Sequence, residues 1–268
     1  MNMDIREVIT RPEYDFLRTN PHLDNNIMFL TFGGSHSYGT NTEGSDIDLR
    51  GCAFPHKHKK DLIGLSSFEK VVENETDTTI YEFNKMVGLM LNCNPNVIEM
   101  LGCRPETYIF YSDWGRELVA NRKMFLSKKA IYSFGGYANQ QLRRLQNALA
   151  RDSYTQSEKE RHILGSCQSN LNKHAMHLVR LYHMCIDILE KEDIVTYRVE
   201  DHDELMAIRN GFYQKEDGTF RKEFFELIDD LKKSMEYAKE NTMLPDKPDY
   251  VKIEEFVLEV NKSVVLGE

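Results

Sequence analysis

The sequence predicts an α+β protein, with its strands in roughly the first 110 residues and helices in the remainder. Three observations carry this. Ile27-Met28-Phe29-Leu30-Thr31-Phe32 is a short apolar run rich in β-formers, the pattern of a buried strand. Phe68 to Phe83 reads as two strands joined by a polar turn at Glu73–Thr76. Beyond about residue 112 the strand signals fade, and apolar residues recur at threes and fours as in amphipathic helices.

Composition bounds the rest. A chain of 268 residues, 41% hydrophobic and 29% charged, can bury a core as one large domain or two modest ones. No apolar run is long enough to span a bilayer, and the start MNMDIREVIT lacks the basic-then-apolar pattern of an export signal. Five scattered cysteines (Cys52, Cys93, Cys103, Cys167, Cys185) without a Cys-x-x-Cys argue against a disulfide framework or zinc site. Together these predict a cytoplasmic protein. The net charge of −9, from 34 basic and 43 acidic residues, gives no support to strong non-specific nucleic-acid binding, although it allows a local basic cleft.

In chain order, Arg11-Pro12-Glu13 suits the first turn of a helix that continues through Tyr14, Phe16 and Leu17, until Asn20-Pro21 ends it. The strand at 27–32 is broken by Gly33-Gly34-Ser35, which opens a polar segment ending near Gly44. The chain returns to strand at Asp46-Ile47-Asp48-Leu49, where alternation sets Asp46 and Asp48 on one face. Carboxylates so placed repel each other unless a cation lies between them. A hard ion such as Mg²⁺ takes few carboxylates and completes its shell with water and phosphate oxygens. Without Cβ atoms, Gly33 and Gly34 let backbone N–H groups approach an anion, and a helix starting just after them points its positive end the same way. Pro55 closes the second strand. His56-Lys57-His58-Lys59-Lys60 reads as a solvated basic loop, since no further ligand lies near its two histidines.

The later strand of the 68–83 pair offers Asp77, Thr79 and Tyr81 on one face. Phe83, Met86, Val87, Met90 and Leu91 then follow helical spacing, with Glu82 at the helix start, a favourable place for a carboxylate. Val97–Leu101 forms a second short helix and Trp114–Phe125 another. Ser127 caps a longer one carrying Ile131, Phe134, Ala138, Leu142, Leu145 and Leu149, where Gly135-Gly136 makes a kink or a close approach. Its Gln140, Gln141, Arg143 and Arg144 face either nucleic acid or water. The capping box Ser157-x-x-Glu160 opens the longest helix, with Leu164, Cys167, Leu171, Leu178, Tyr182, Cys185 and Leu189 as its buried stripe. A different face carries Lys173, His177 and Arg180, spaced four and three apart, either an anion site or three solvated side chains. His174 borders the stripe as a packed histidine. Asp203–Asn210, Phe224–Ala238 and Ile253–Val260 supply the remaining helices.

A strand, Gly34-Ser35, a short helix, Gly39, then Ser45-Asp46-x-Asp48 on the next strand resembles the DNA polymerase β nucleotidyltransferase superfamily. The stretches YEFNKMVGLMLNCNPNVIEML, FGGYANQQLRRL and KHAMHLVRL resemble its RNA-ligase-associated subgroup of bacteria and phages, which usually has Lys-Phe where this chain has Lys85-Met86. The resemblance implies a small mixed-sheet nucleotidyltransferase domain, residues 1–110, followed by a helical domain, residues 111–268, that closes a cleft. It implies Gly34 and Ser35 at the triphosphate of a bound nucleotide, with Asp46 and Asp48 as ligands of two Mg²⁺ ions. A third carboxylate is expected on a neighbouring strand. Asp77 fits if that strand runs parallel to the one carrying Asp46, and Glu82 fits if it runs antiparallel; Asp77 is favoured. Lys173, His177 and Arg180 would lie on the helix that closes over the nucleotide. The implied reaction moves a nucleotidyl group from a nucleoside triphosphate to an acceptor hydroxyl and releases pyrophosphate. The subgroup's association with RNA ligases suggests an RNA 3′ end as acceptor. Two rival readings stay open: an acceptor on a protein side chain or small molecule, which the acidic charge favours slightly, and a nucleotide-binding module without turnover, which the presence of both Asp46 and Asp48 disfavours. The sequence does not give the oligomeric state.

Overall fold

The apolar run Ile27–Phe32 forms β1, the second strand from one edge of the sheet, apolar without alternation because residues on both of its faces are buried. β2 (Leu49–Ala53) and β5 (Tyr108–Tyr111) each pair with it antiparallel. β4 (Thr78–Glu82) runs parallel to β2, and β3 (Lys70–Glu73) turns antiparallel onto β4, giving a mixed sheet in the order β3-β4-β2-β1-β5. The computed structural model describes residues 5–55, 68–152 and 158–267.

One sheet face packs Leu30, Phe32, Leu49 and Ile80 against Val8, Tyr14, Leu17 and Leu23 of the N-terminal segment. That segment holds two short helices, α1 (Ile5–Val8) and α2 (Phe16–Thr19), with a 3-10 turn at Pro12–Tyr14. The single helix expected from Pro12 to Leu17 is therefore broken. α3 (Gly34–Tyr38) follows β1, and α4 (Phe83–Met90) follows β4. Phe83, Met86, Val87 and Met90 are all buried, as their spacing predicts, at about 1.5–3 kcal/mol for each large side chain. α5 (Pro95–Ile98) starts two residues before the helix expected at Val97 and passes into a 3-10 turn at Glu99–Gly102. α6 (Asp113–Ala120) is capped by Ser112, whose hydroxyl accepts from Gly115 N–H, and it also ends in a 3-10 turn before Phe125.

The described chain divides into two compact units, and β5 places the chain just beyond residue 110 in the first. The first unit holds the residues up to Leu126 together with Asp193–Tyr197 and the chain from Lys247 onward; the second holds Ser127–Glu192 and Arg198–Asp246. β5 pairs with β1, so the chain on either side of residue 110 belongs to the sheet. The last helix, α11 (Tyr250–Leu266), returns to the same unit and sets Phe256 edge-on to Phe83 and Trp114. The Asp193–Tyr197 segment is fastened by Arg122, which donates to both Asp193 oxygens at 2.7 and 2.8 Å, and by a hydrogen bond from the Thr196 hydroxyl to the Glu99 carbonyl.

The second unit is helical: α7 (Lys129–Asp152), α8 (Glu158–Lys191), α9 (His202–Arg209) and α10 (Lys222–Asn241). α7 runs through Gly135-Gly136 without a break. A Cβ at Gly135 would meet only Met235 at 3.7 Å, so neither a kink nor a close approach requires these glycines. Leu171, Leu178, Tyr182, Cys185 and Leu189 are buried along α8 as expected. The basic loop at 56–60 and Ser157 lie outside the described residues, as do the side chains of Leu149, Glu160, Leu164 and Cys167. No helix among the described residues is long and apolar enough to cross a membrane.

Candidate active site

The site begins where β1 ends. Gly33 N–H donates to the Asp48 carbonyl at 2.8 Å, and Gly34, at φ +56°, swings the chain into α3. A Cβ on Gly34 would sit 1.7 Å from Asp48 Oδ2, and one on Gly33 would sit 2.6 Å from Arg50 Cγ. Position 34 therefore requires glycine twice, for its left-handed backbone and for the carboxylate lying against it. Gly34→Ala is expected to lower the melting temperature and displace Asp48 together; an alanine variant that keeps wild-type melting and turnover would show that Asp48 has no need of that place. Ser35 is half-buried in the first turn of α3. Next to it, His36 keeps a buried Nε2 with no hydrogen-bond partner among the described residues.

After α3 the chain is turned by Ser45, whose hydroxyl accepts from Thr42 N–H at 2.8 Å. Asp46, Ile47 and Asp48 are not yet strand, contrary to expectation. β2 starts at Leu49 because its partner Phe32 is the last residue of β1, and α3 carries the opposing chain away. The acidic pair sits on this lead-in, with Asp46 exposed and Asp48 partly buried.

The parallel pairing of β2 with β4 sets Leu49 opposite Thr78, so the residues just before them, Asp48 and Asp77, stand side by side. Asp77 is the last turn residue of the β3–β4 hairpin, not a strand residue, and holds a left-handed φ of +42°. Its carboxylate and that of Asp48 lie close enough to perturb each other's protonation. Burial, then the hydrogen bond and negative charge of Asp77, with a smaller contribution from Asp46, push Asp48 up to about 7. The same hydrogen bond, helped by Arg50, holds Asp77 below the usual carboxylate range. The pair therefore holds on to a proton above the ordinary carboxylate range. Arg50 clamps Asp77: Nη2 reaches Oδ1 at 3.2 Å, while Nη1 donates to the Asp77 carbonyl and to the Leu49 carbonyl at 2.9 Å.

Glu82 lies elsewhere. The register places it beside Ala53, at the far end of β2 and about 13 Å along the strand from the Leu49–Thr78 pair. It is buried as the N-cap of α4, where Oε2 accepts from Lys85 N–H at 2.7 Å and Oε1 from the Asn84 amide at 3.1 Å. Burial raises its pKa. Among the described residues, no three acidic, histidine or cysteine side chains converge into a ready-made metal cage; Asp48 and Asp77 are the pair that meet.

The triplet on α8 is not one exposed face. Lys173 is exposed, but Arg180 is only 1% accessible, with Nη1 against Met184 Sδ and Nη2 donating to His177 Nδ1 at 2.8 Å. Burial, and then the Arg180 charge, hold His177 well below its ordinary pKa, so it is a neutral acceptor and not a cation. His174 Nδ1 pairs with Gln141 Oε1 at 3.2 Å, which makes Gln141 a buried partner; Gln140, Arg143 and Arg144 are exposed. Arg50 is the site residue that sequence reasoning passed over. Its signal was present, since positions 46, 48 and 50 alternate onto one face.

A mixed sheet with two acidic residues meeting beside a glycine turn defines the class to which the comparisons point. The chain matches the model of the RNA repair pathway DNA polymerase beta family over residues 8–259, and it belongs to that family. Among solved structures, a nucleotidyltransferase-like protein from Exiguobacterium sibiricum aligns with 96% of this chain and 79% of its own, at 10% identity and a TM-score of 0.31. A likeness that weak carries no argument of its own. No curated protein matches the chain.

Proposed function

We propose that this chain transfers a nucleotidyl group from a nucleoside triphosphate to an acceptor hydroxyl, an RNA 3′ end in repair, with release of pyrophosphate. The observation that carries this reading is the Asp48–Asp77 pair, two carboxylates in contact beside Gly34. Such contact is unfavourable for two bare charges and favourable around a divalent ion. Their hard oxygens suit Mg²⁺, which is commonly held by one or two carboxylates with substrate phosphates filling the remaining positions. Bound there, two Mg²⁺ ions would offset charge on the departing pyrophosphate and lower the pKa of the attacking hydroxyl.

The protein's own residues do the positioning. Asp48 and Asp77 would hold the metal, and Asp46 would add a third charge from the exposed side. Asp48 must lose its proton for this, and Arg50 keeps Asp77 ionised and aimed while it does. Gly34 and Ser35, at the start of α3 beside Asp48, would receive the phosphates. In the helical unit, Lys173 is the member of its triplet with an exposed charge for a phosphate. Arg180 and His177 brace the helix from within. The RNA acceptor rests on the family, while the net charge of −9 favours a small-molecule or protein hydroxyl.

The test is transfer from each α-labelled nucleoside triphosphate, with Mg²⁺ or EDTA, in the presence of RNA with a free or blocked 3′ hydroxyl. The proposal expects labelled RNA and pyrophosphate only with Mg²⁺ and a free 3′ end. Pyrophosphate release that ignores RNA would move the acceptor elsewhere. Nucleotide binding without turnover under any condition would overturn catalysis.

A further inference from the structure

α11 is apolar on two opposite faces, and among the described residues only one of them is packed against the rest of its unit. Ile253, Phe256, Val260 and Ser263 form the inner face, where Phe256 meets Phe83 and Trp114 and the neighbouring Asn261 amide donates to Asn84 Oδ1 at 3.1 Å. Half a turn away, Val251, Leu258 and Val265 recur at intervals of seven, a straight outward seam on a helix. Val251 is 68% exposed and Leu258 60%, with Leu266 at 52% and Tyr250 at 46% on the two rims; Val265 is half-buried. Four large apolar side chains exposed on one 17-residue helix exceed the scattered singles normal on a surface.

The arrangement around this seam is self-complementary. Leu258 lies at its centre, with Val251 and Val265 seven residues to either side and Tyr250 and Leu266 eight. A second α11 laid antiparallel across the first, with the two-fold axis at Leu258, would set Leu258 on Leu258 and Val251 on Val265. The flanking charges obey the same symmetry. Glu255 and Lys262 project on one side of the seam at nearly equal distances from its centre, so each lysine would meet the other chain's Glu255. Both are exposed, and Lys262 has only a loose contact to Glu259 at 3.9 Å. A seam that placed like charges together in this register would argue against self-pairing. This one places opposite charges.

We propose that two copies of this chain associate through the outward face of α11, antiparallel about Leu258. The helix is about 25 Å long, so the contact falls at the small end of specific interfaces and the dimer should form in the micromolar range. The chain's own complementarity in hydrophobicity and charge favours a second copy over an unrelated partner.

Sedimentation equilibrium of the full chain across the micromolar range tests this. Wild type is expected to shift from monomer to dimer with concentration, and Leu258→Glu to stay monomeric with an unchanged melting temperature. Glu255→Lys or Lys262→Glu alone should weaken the dimer at least tenfold, and the two together should restore it. This pair of reversals decides the matter even if Leu258→Glu folds poorly. Leu258→Cys should form a disulfide-linked dimer under mild oxidation where wild type does not. A wild type monomeric at every concentration, a Leu258→Glu protein that still dimerises, or a double reversal that restores nothing overturns the proposal.

Discussion

Asp48→Asn is expected to abolish nucleotidyl transfer while making the metal-free protein more stable at neutral and alkaline pH. Removing a preorganised charge from a reacting site costs about 10²–10³-fold in rate, and a carboxylate that holds the metal should cost at least that. The stability effect runs the other way because of the proton on Asp48. Its folded pKa, about 7, stands above its ordinary 3.8. Between these values the unfolded chain has already released the proton that the folded chain keeps, so Asp48 lowers stability progressively as pH rises. Below about pH 4 it costs nothing; above about 7 the cost is complete. Asparagine has no such proton. The melting-temperature difference between mutant and wild type, measured without divalent ions, should therefore grow from pH 5 to pH 8. It should reach a few degrees, at about 2–4 °C per kcal/mol for a protein of this size. Added Mg²⁺ and nucleotide should raise the wild-type melting point and leave the mutant's unmoved. A difference that is flat with pH, or a mutant that turns over normally, removes Asp48 from the site.

Asp77→Asn and Glu82→Ala are expected to fail in opposite ways. Asp77 is exposed, and its ion pair with Arg50 is of the kind worth at most about 1 kcal/mol, so its loss should barely move the melting temperature. Transfer should fall at least a hundredfold, as for Asp48. Glu82 caps α4 from a buried position, and removing an N-cap of that kind costs about 0.5–2 kcal/mol. Its alanine variant should melt several degrees lower yet keep most of its turnover at a temperature where it is folded. Rates paired with melting curves on both variants separate the roles. A Glu82 variant that is dead but fully stable would reverse the assignment of the third carboxylate.

Much of the site was legible because its signals are local. Gly33, Gly34, Ser45, Asp46 and Asp48 lie within sixteen residues, and the roles expected of them follow from their spacing together with the family resemblance. The same holds for β1, announced by its run of β-formers, for the 68–83 hairpin, announced by its polar turn, and for α4, announced by its helical spacing. Arg50 is equally local, two residues after Asp48.

Other features depended on partners distant in sequence. Whether Asp77 or Glu82 stands beside Asp48 turned on the direction of β4 relative to β2, a pairing across 29 residues that neither strand's composition encodes. β5 was missed because four residues are too few to display a period, and its identity as a strand comes from pairing with β1. That pairing places the chain just beyond residue 110 in the first unit, and packing of Phe256 on Phe83 and Trp114 brings the last helix back to it. Helical spacing correctly grouped Lys173, His177 and Arg180, but spacing says nothing of depth. Arg180 is buried because tertiary packing covers its side of α8, and burial beside that charge keeps His177 neutral. The sequence alone determined which groups could do the chemistry. Only the tertiary structure decided which of them meet, because long-range pairing and burial are properties of the folded chain and not of any one segment.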